Sequence, residues 1–444
     1  MRKVYTISYG CQMNTLDAEL VRGDLGRSGY EHVPEMSGAD VILVNTCSVR
    51  DHAEAKVWSL LGRAGQMKKD RPDIQIGVLG CMAQRVKDDI VKRAPYVDLV
   101  LGTANFRSAV QDLDDLRRGG GRVIRTDRRP SPDFLPDADR DVTARPDHHR
   151  AWVTVMRGCD HVCAYCIVPF TRGREISRPL VDVLDETRRL AADGVREVTF
   201  LGQNINTYGK DLDEGGLCTL LEQAADIEGL DRIRFLTSNP FDMTEDMMRR
   251  FGAVEKVMPW LHIPAQSGSD AVLKRMKRTY TVAQYEEVCG WARAHIPGVE
   301  ITSDFIVGFP GETDEDFEGT RALVERSELV QAYVFKYSVR PRTLAARRLP
   351  DDVSESVKQA RNVVIHETQD VVSERRNKAA IGRTFQVLVD GVSKKRDDML
   401  TGREPGNRIV HFPGPAALAG RMAMVTVTAC GKHSLVGDLG SVED

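Results

Sequence analysis

The stretch Trp152-Val-Thr-Val-Met156-Arg-Gly-Cys159-Asp-His-Val-Cys163-Ala-Tyr-Cys166 decides how this chain folds and where its chemistry lies. Its first five residues are apolar or β-branched and read as a strand. The loop that follows holds three cysteines in one short run, with no fourth cysteine nearby. A cubane iron–sulfur cluster normally takes four thiolates. Three leave one coordination position for an outside ligand, as an electron-transfer ferredoxin does not, so the loop reads as catalytic.

Downstream, the strand-then-loop pattern recurs. Strands are expected near Trp152–Met156, Glu197–Leu201, Arg232–Leu236, Leu261–Ile263, Glu300–Ile306 and Ala332–Tyr337, with amphipathic helices between them. Eight such units close a TIM barrel; six make a partial, open-sided (β/α)6 barrel that suits a large substrate reaching a buried centre. The cysteine loop falls at the carboxyl end of the first strand, where this architecture places chemistry. Later strands end in polar loops: Gly202-Gln203-Asn204, Ser238-Asn239-Pro240, Pro264-Ala-Gln266-Ser267-Gly268 and Gly308-Phe-Pro-Gly311-Glu312. Gln203, Asn204, Ser238 and Gln266 are read as hydrogen-bonding a cofactor or substrate, since long amides at this rim have no evident structural task. The glycines there serve turns equally well. Arg172, Arg174 and Arg178 follow the cysteine loop, where cations neutralise a carboxylate or phosphate. Tyr165 is placed either to stack on adenine or to pack.

Upstream, strand-like runs at Val4–Ser8, Val41–Val44 and Ile74–Leu79 alternate with helical patterns near Asp17–Ser28 and Asp51–Lys69, which argues a parallel α/β sheet. Cys11, Cys47 and Cys81 each lie one to three residues past one of those strands. The carboxyl ends of parallel strands share one edge, so cysteines far apart in sequence converge there on a second metal site. Buried apolar packing is the competing account of any single one. A stretch from Gly119 to Arg150 is rich in Gly, Pro and charge and reads as a linker, with His148 and His149 solvated.

The tail changes period. After a helix over Val353–Ala379, short strands are expected at Phe385–Asp390, Met399–Gly402, Arg408–Phe412, Met422–Thr428 and Leu435–Gly437. They suggest a small antiparallel, OB-like β-barrel. From Arg376 onward there are 10 Lys/Arg against 7 Asp/Glu, net +3, which leaves −6 for the rest of the −3 chain. Lys394, Lys395, Arg396 and Lys432 are candidate RNA phosphate contacts.

A chain of 444 residues with 41% hydrophobic and 29% charged content is expected to form two or three compact units. No apolar run reaches membrane-spanning length, so a cytoplasmic protein with no membrane contact is expected. Nine cysteines there point to metal or catalysis more than to disulfides. Cys218, Cys289 and Cys430 have no partners at ligand spacing and read as inert thiols.

The Cys159/Cys163/Cys166 spacing, with Pro169, Arg172-Gly173-Arg174 and Ser177-Arg178-Pro179 after it, resembles the radical S-adenosylmethionine (SAM) superfamily. Together with Tyr9-Gly-Cys11-Gln12-Met13-Asn14, Asn45-Thr-Cys47-Ser-Val-Arg50 and Gly80-Cys81-Met-Ala-Gln84, it makes almost the whole chain similar to the methylthiotransferase family. Gln12-Met13-Asn14 and the run Pro169 to Arg178 look like the branch acting on an isopentenylated adenosine of tRNA. Two positions depart from that pattern: Asn239, where histidine is usual, and Arg342-Thr-Leu344, where a Gly-Thr-Pro turn is usual.

The resemblance implies domains at 1–118 (auxiliary cluster), 151–378 (radical SAM core) and 379–444 (TRAM, RNA-binding), with 119–150 as linker. It implies two 4Fe-4S clusters, an auxiliary one on Cys11, Cys47 and Cys81 and a SAM-binding one on Cys159, Cys163 and Cys166. Two SAM would be used per turnover, one cleaved to a 5′-deoxyadenosyl radical and one methylating sulfur on the auxiliary cluster. Radical chemistry suits adenine C2–H, which carries no acidic proton. The implied partners are the tRNA anticodon stem-loop and an electron donor such as flavodoxin or ferredoxin, and the implied state is a monomer. Alternatives are a ribosomal-protein aspartate or threonylcarbamoyladenosine tRNA as substrate, or an iron–sulfur RNA-binding redox regulator without catalysis.

Overall fold

A computed structural model describes residues 1–48, 51–127, 145, 147–394 and 396–442. Arg50, Lys395 and most of the 119–150 stretch lie outside the described residues. The first unit is a six-stranded, all-parallel sheet of β1 (Arg2–Ser8), β2 (Tyr30–His32), β3 (Val41–Thr46), β4 (Gln75–Gly80), β5 (Leu99–Leu101) and β6 (Val123–Arg125). The strand order is β2-β1-β3-β4-β5-β6. Helices α1 (Gln12–Arg27), α2 (Asp51–Asp70), α3 (Cys81–Arg93) and α4 (Ala109–Arg117) connect it. Every residue of β3 and β4 is buried, as expected of a parallel sheet covered on both faces. Ile42, Val44 and Val78 face one apolar cluster and Val41, Leu43 and Leu79 the other. Strand β6 extends this sheet into the stretch read as linker.

The central unit begins with β7 (Arg150–Thr154) and a short hairpin of β8 (Met156–Arg157) and β9 (Ile176–Ser177), with α5 (Val168–Thr171) between them. Then follow α6 (Leu180–Ala192), β10 (Glu197–Leu201), α7 (Leu217–Ala225), β11 (Arg232–Leu236), α8 (Glu245–Ala253) and β12 (Trp260–His262). It finishes with α9 (Asp270–Arg275), α10 (Val282–His295), β13 (Glu300–Val307), α11 (Asp314–Arg326), β14 (Gln331–Lys336), α12 (Leu344–Arg348) and α13 (Glu355–Lys378). The six expected strands are present and parallel, arranged as two three-stranded sheets, β7-β10-β11 and β12-β13-β14. Between them the ladder shrinks to Ile233, which donates to Lys256 O (2.7 Å) and accepts from Met258 N (2.9 Å). Pro259, which has no N–H to give, follows at once and ends that pairing. The outer strands β7 and β14 leave the array open on one side. Helix α1 packs there, with Met13 and Leu16 against Trp152, Leu201 and Leu236.

Arg178, expected as a cation facing a ligand, turns inward. It is 1% exposed and donates to Glu186 Oε2 (2.6 Å) and Thr154 O (2.8 Å). Arg174, by contrast, is exposed and pairs with Asp160. Breaking a buried pair strands a charge and costs roughly 3–5 kcal/mol, whereas exposed pairs contribute about 0–1 kcal/mol. Arg178→Met is therefore expected to lower unfolding free energy by about 3–5 kcal/mol in a urea titration, and Arg174→Ala by less than about 1 kcal/mol.

The tail forms a closed barrel of β15 (Thr384–Val392), β16 (Leu400–Arg403), β17 (Ile409–Phe412), β18 (Met422–Cys430) and β19 (Ser434–Val442), in the order β15-β16-β17-β19-β18. It is mixed, not wholly antiparallel as expected, because β17 and β19 run parallel. Five strands is an odd number, and a closed ring of odd count cannot alternate direction throughout. This barrel docks beneath the amino ends of the central strands. Arg232 donates to Arg403 O (2.8 Å) and Gln386 O (2.6 Å), and Arg234 to Pro405 O (2.8 Å) and Glu404 O (3.2 Å). Glu300 joins Arg376 (2.6 Å) and Arg408 (3.4 Å), and Arg150 pairs with Asp390 (3.1 Å). Among the described residues no helix is long and apolar enough to cross a membrane.

Candidate active site

Strands β1, β3 and β4 are neighbours, so their carboxyl ends bring Cys11, Cys47 and Cys81 together. Cys11 caps α1, Cys47 follows β3 directly, and Cys81 opens α3 immediately after β4. Asn14 Oδ1 lies 3.5 Å from Cys11 Sγ and 3.9 Å from Cys81 Sγ, and Asn14 Nδ2 donates to Thr46 O (2.8 Å) beside Cys47. Gly10 allows this approach: its φ is +133°, and a Cβ there would fall 2.5 Å from Cys47 Cβ. Burial pushes the Cys81 thiol up to about 12. Coordination to a metal is what holds such a buried thiol as thiolate at neutral pH.

The second trio lies in the loop between β8 and α5. Ala164 N donates to Met276 O (2.8 Å), Cys159 N to Gly173 O (3.2 Å), and Gly158 N to Gln203 Oε1 (2.5 Å). Gly158 sits at φ +82° with the Arg174 carbonyl where a Cβ would be. Cys163 Sγ accepts from Arg278 Nη1 (3.2 Å), and Cys166 Sγ from Val168 N (3.5 Å). Burial, with the neighbouring thiols adding to it, pushes Cys159 and Cys166 each up to about 12. Among the described residues no three His, Cys, Asp or Glu side chains surround one point as ligands of a single ion would. A cubane, whose cysteines bind separate irons, makes no such demand. Both donor sets therefore fit clusters by their chemistry: three neighbouring thiols, buried or half-buried, with a guanidinium alongside each set.

One cavity of about 560 Å³ is lined by Cys11 and Cys47 from the first unit and by Cys159, Cys163 and Cys166 from the second, while Cys81 lies buried behind them. Gln203, Asn204, Ser238 and Gln266 all line it as well. Two of these amides nevertheless have a structural task that was not expected. Gln203 holds the Gly158 N–H, and Asn204 donates to Asp242 Oδ2 (2.9 Å) while accepting from Asn239 N (3.3 Å). Gln266 takes φ +69°, a strained conformation for a non-glycine residue, fixed by Asp304 O and Ile306 N. Tyr165 lines the cavity and packs edge-on against Phe309, with centroids 6.5 Å apart.

His161, Asp242 and Asn239 were missed as a group. His161 Nε2 lies 2.7 Å from Asp242 Oδ2 and 3.0 Å from Asn239 Nδ2, tying the cysteine loop to the loop after β11. Burial alone would raise the Asp242 carboxyl, but hydrogen bonds from His161 and Asn204 hold it below its ordinary value. The Asn239 departure thus sits inside this network. Arg342, the other departure, takes φ +77° where a glycine is usual and lays its guanidinium over Phe170, 5.2 Å from the ring centre.

A second, charged chamber of about 300 Å³ lies below, lined by Arg150, Glu197, Arg234 and Arg403. It shares Gln12, Leu236, Trp260 and Tyr333 with the upper cavity. The candidate RNA residues do not form one patch. Lys394 is exposed and Arg396 pairs with Asp398 (2.8 Å), both in the β15–β16 loop. Lys432 lies in the β18–β19 turn and pairs with Asp370 of α13 (2.9 Å). Cys218 and Cys289 are buried and Cys430 half-buried. His149, read as solvated, is instead half-buried and covers Gly420.

An open, parallel six-strand core with a three-cysteine loop on its first strand defines a radical SAM protein, and residues 153–324 match the radical SAM superfamily. Residues 3–102 match the uncharacterized protein family UPF0004 and residues 378–439 the TRAM domain. The tRNA-2-methylthio-N(6)-dimethylallyladenosine synthase of Rhodopirellula baltica is 42% identical over 100% of this chain and 96% of its own length. That of Anaeromyxobacter dehalogenans is 45% identical over 99% and 94%. The chain belongs to the methylthiotransferase family of these relatives. The solved radical SAM methyltransferase TsrM from Kitasatospora setae shares the fold, with a TM-score of 0.55 at 14% identity over 78% of this chain and 77% of that one.

Proposed function

We propose that this chain adds a methylthio group to adenine C2 of N(6)-dimethylallyladenosine beside the tRNA anticodon. Cys159, Cys163 and Cys166 would hold a 4Fe-4S cluster that binds SAM, and Cys11, Cys47 and Cys81 a second one. The observation that carries this reading is the single cavity that Cys11 and Cys47 share with Cys159, Cys163 and Cys166. When bound, the clusters and SAM supply a carbon radical able to take the non-acidic C2 hydrogen and a sulfur to replace it. The protein's own part is placement. Gln203 and the His161–Asp242 contact hold the cysteine loop, and Arg278 donates to Cys163. Ser238 and Gln266 face the cavity as polar contacts for SAM, while Leu201, Leu236, Trp260 and Phe335 form an apolar wall that excludes water.

The adenine would enter, splayed from its loop, from the carboxyl-end rim of the central strands, where the cysteine loop lines the cavity. Lys394 and Arg396 lie just past Asp390 of β15, which pairs with Arg150 at the start of β7, and would meet backbone phosphates. Electrons would come from a flavodoxin or ferredoxin. The test is anaerobic reconstitution with SAM, reductant, sulfide and a prenylated anticodon stem-loop, followed by nucleoside mass analysis. A methylthio group on the prenylated adenosine is expected. An unmodified stem-loop beside a methylthiolated ribosomal peptide would overturn the proposal.

A further inference from the structure

We propose that Arg172 is the cationic donor of the auxiliary centre: it hydrogen-bonds the anionic sulfur gathered at Cys11, Cys47 and Cys81 and raises that centre's reduction potential. The inference rests on the cluster reading of this trio.

Arg172 ends α5, six residues after Cys166, so it is supplied by the SAM-side loop and not by the domain it serves. Its side chain crosses into the first unit, where Nη2 donates to Asp17 Oδ2 (2.7 Å) and Asn14 Oδ1 (3.3 Å). Asn14 Oδ1 is the atom that also touches Cys11 Sγ and Cys81 Sγ. Arg172 Nη1 is buried and has no hydrogen-bond partner among the described residues. A guanidinium carries five N–H donors in a fixed fork, and a buried charged donor without an acceptor is costly.

Charge accounting points the same way. Arg157 (3.0 Å) and Arg172 (2.7 Å) share the single carboxylate of Asp17, and all three side chains are at most 3% exposed. Two guanidiniums thus meet at this one carboxylate. Arg85, which donates to Ser48 Oγ next to Cys47 (3.1 Å), pairs with Glu54 at 2.6 Å, a carboxylate that Arg340 also approaches at 3.8 Å. A thiolate-ligated cubane is net anionic and more so when reduced. The Arg172 charge beside Cys81 and Cys11 therefore favours the reduced form, and hydrogen bonds to cluster sulfur act in the same direction.

The experiment uses the full chain carrying alanine at Cys159, Cys163 and Cys166, loaded with iron and sulfide so that the auxiliary centre alone titrates. Its midpoint is read by electron paramagnetic resonance. Arg172→Gln is expected to lower the reduced-to-oxidised ratio at fixed potential about tenfold, a midpoint shift of about −59 mV, while Arg172→Lys stays near the parent. Asp17→Asn, which removes the competing carboxylate and leaves Arg172 in place, is expected to shift the midpoint upward. A loaded Gln variant with the parent midpoint overturns the proposal, as does an Asn variant that shifts downward or not at all. A parent that binds no iron sinks the cluster reading, and Arg172's role with it.

Discussion

Alanine at Cys159, Cys163 and Cys166 together is expected to abolish SAM cleavage and tRNA methylthiolation while leaving the chain folded with about half its iron. The loop is held mainly by groups that the substitution spares: Ala164 N on Met276 O, Gly158 N on Gln203, and His161 on Asp242. Thermal melting should therefore barely move. On the proposed reading the loss of activity should be complete, because the open iron of a cluster on this trio would anchor SAM's amino and carboxylate groups, and neither Gln266 nor Ser238 can replace an iron. Iron analysis and nucleoside mass spectrometry read the two arms. Residual methylthiolation in the folded variant would remove the radical mechanism.

Truncation before Arg383 is expected to do more than weaken tRNA binding. Arg232 and Arg234 would lose four backbone carbonyl acceptors, and Glu300 its contact with Arg408. Hydrogen bonds to charged groups contribute about 1.5–3 kcal/mol each. The four together come to about 6 kcal/mol or more, comparable with the whole stability of an ordinary domain at about 5–15 kcal/mol. Differential scanning calorimetry of residues 1–382 should give a melting transition lowered by more than about 10 °C or none at all. An unchanged transition would mean that the docked tail contributes nothing to the core. The RNA role of the tail then needs point changes in the intact chain. Lys394→Glu with Arg396→Glu should weaken tRNA binding and flatten its salt dependence, whereas Lys432, tied to Asp370, should matter little.

The short strands β2, β5, β6, β8 and β9 were not legible in the sequence, whereas local pattern carried β1, β3 and β4, the six parallel strands of the central unit and the five of the tail, with the cysteine positions past the ends of β1, β3 and β4. These follow from period-2 apolar runs and from where turns fall, which neighbouring residues determine. Pairing over long distances did not show. Asp17 meets Arg157 and Arg172 across some 140 and 155 positions, and no periodicity near Asp17 announces a buried acid. Arg178 misled because its sequence neighbours lie at the rim while its own side chain turns inward to Glu186. Gln203 looked free because its partner is a backbone N–H of another loop. The parallel β17–β19 pair was deducible from the odd strand count, had closure been assumed. The break between β11 and β12 carried a visible cause in Pro259.

The tail barrel that floors the central lumen with Arg403 and Asn407 is synthesised only after the whole central unit. All six cysteines are in place before it. At about 5–20 residues per second, the stretch 379–444 takes on the order of several seconds to synthesise. During that interval the chamber under Trp260 lacks the side of its lining that Arg403 and Asn407 supply, and it is completed only when the barrel docks.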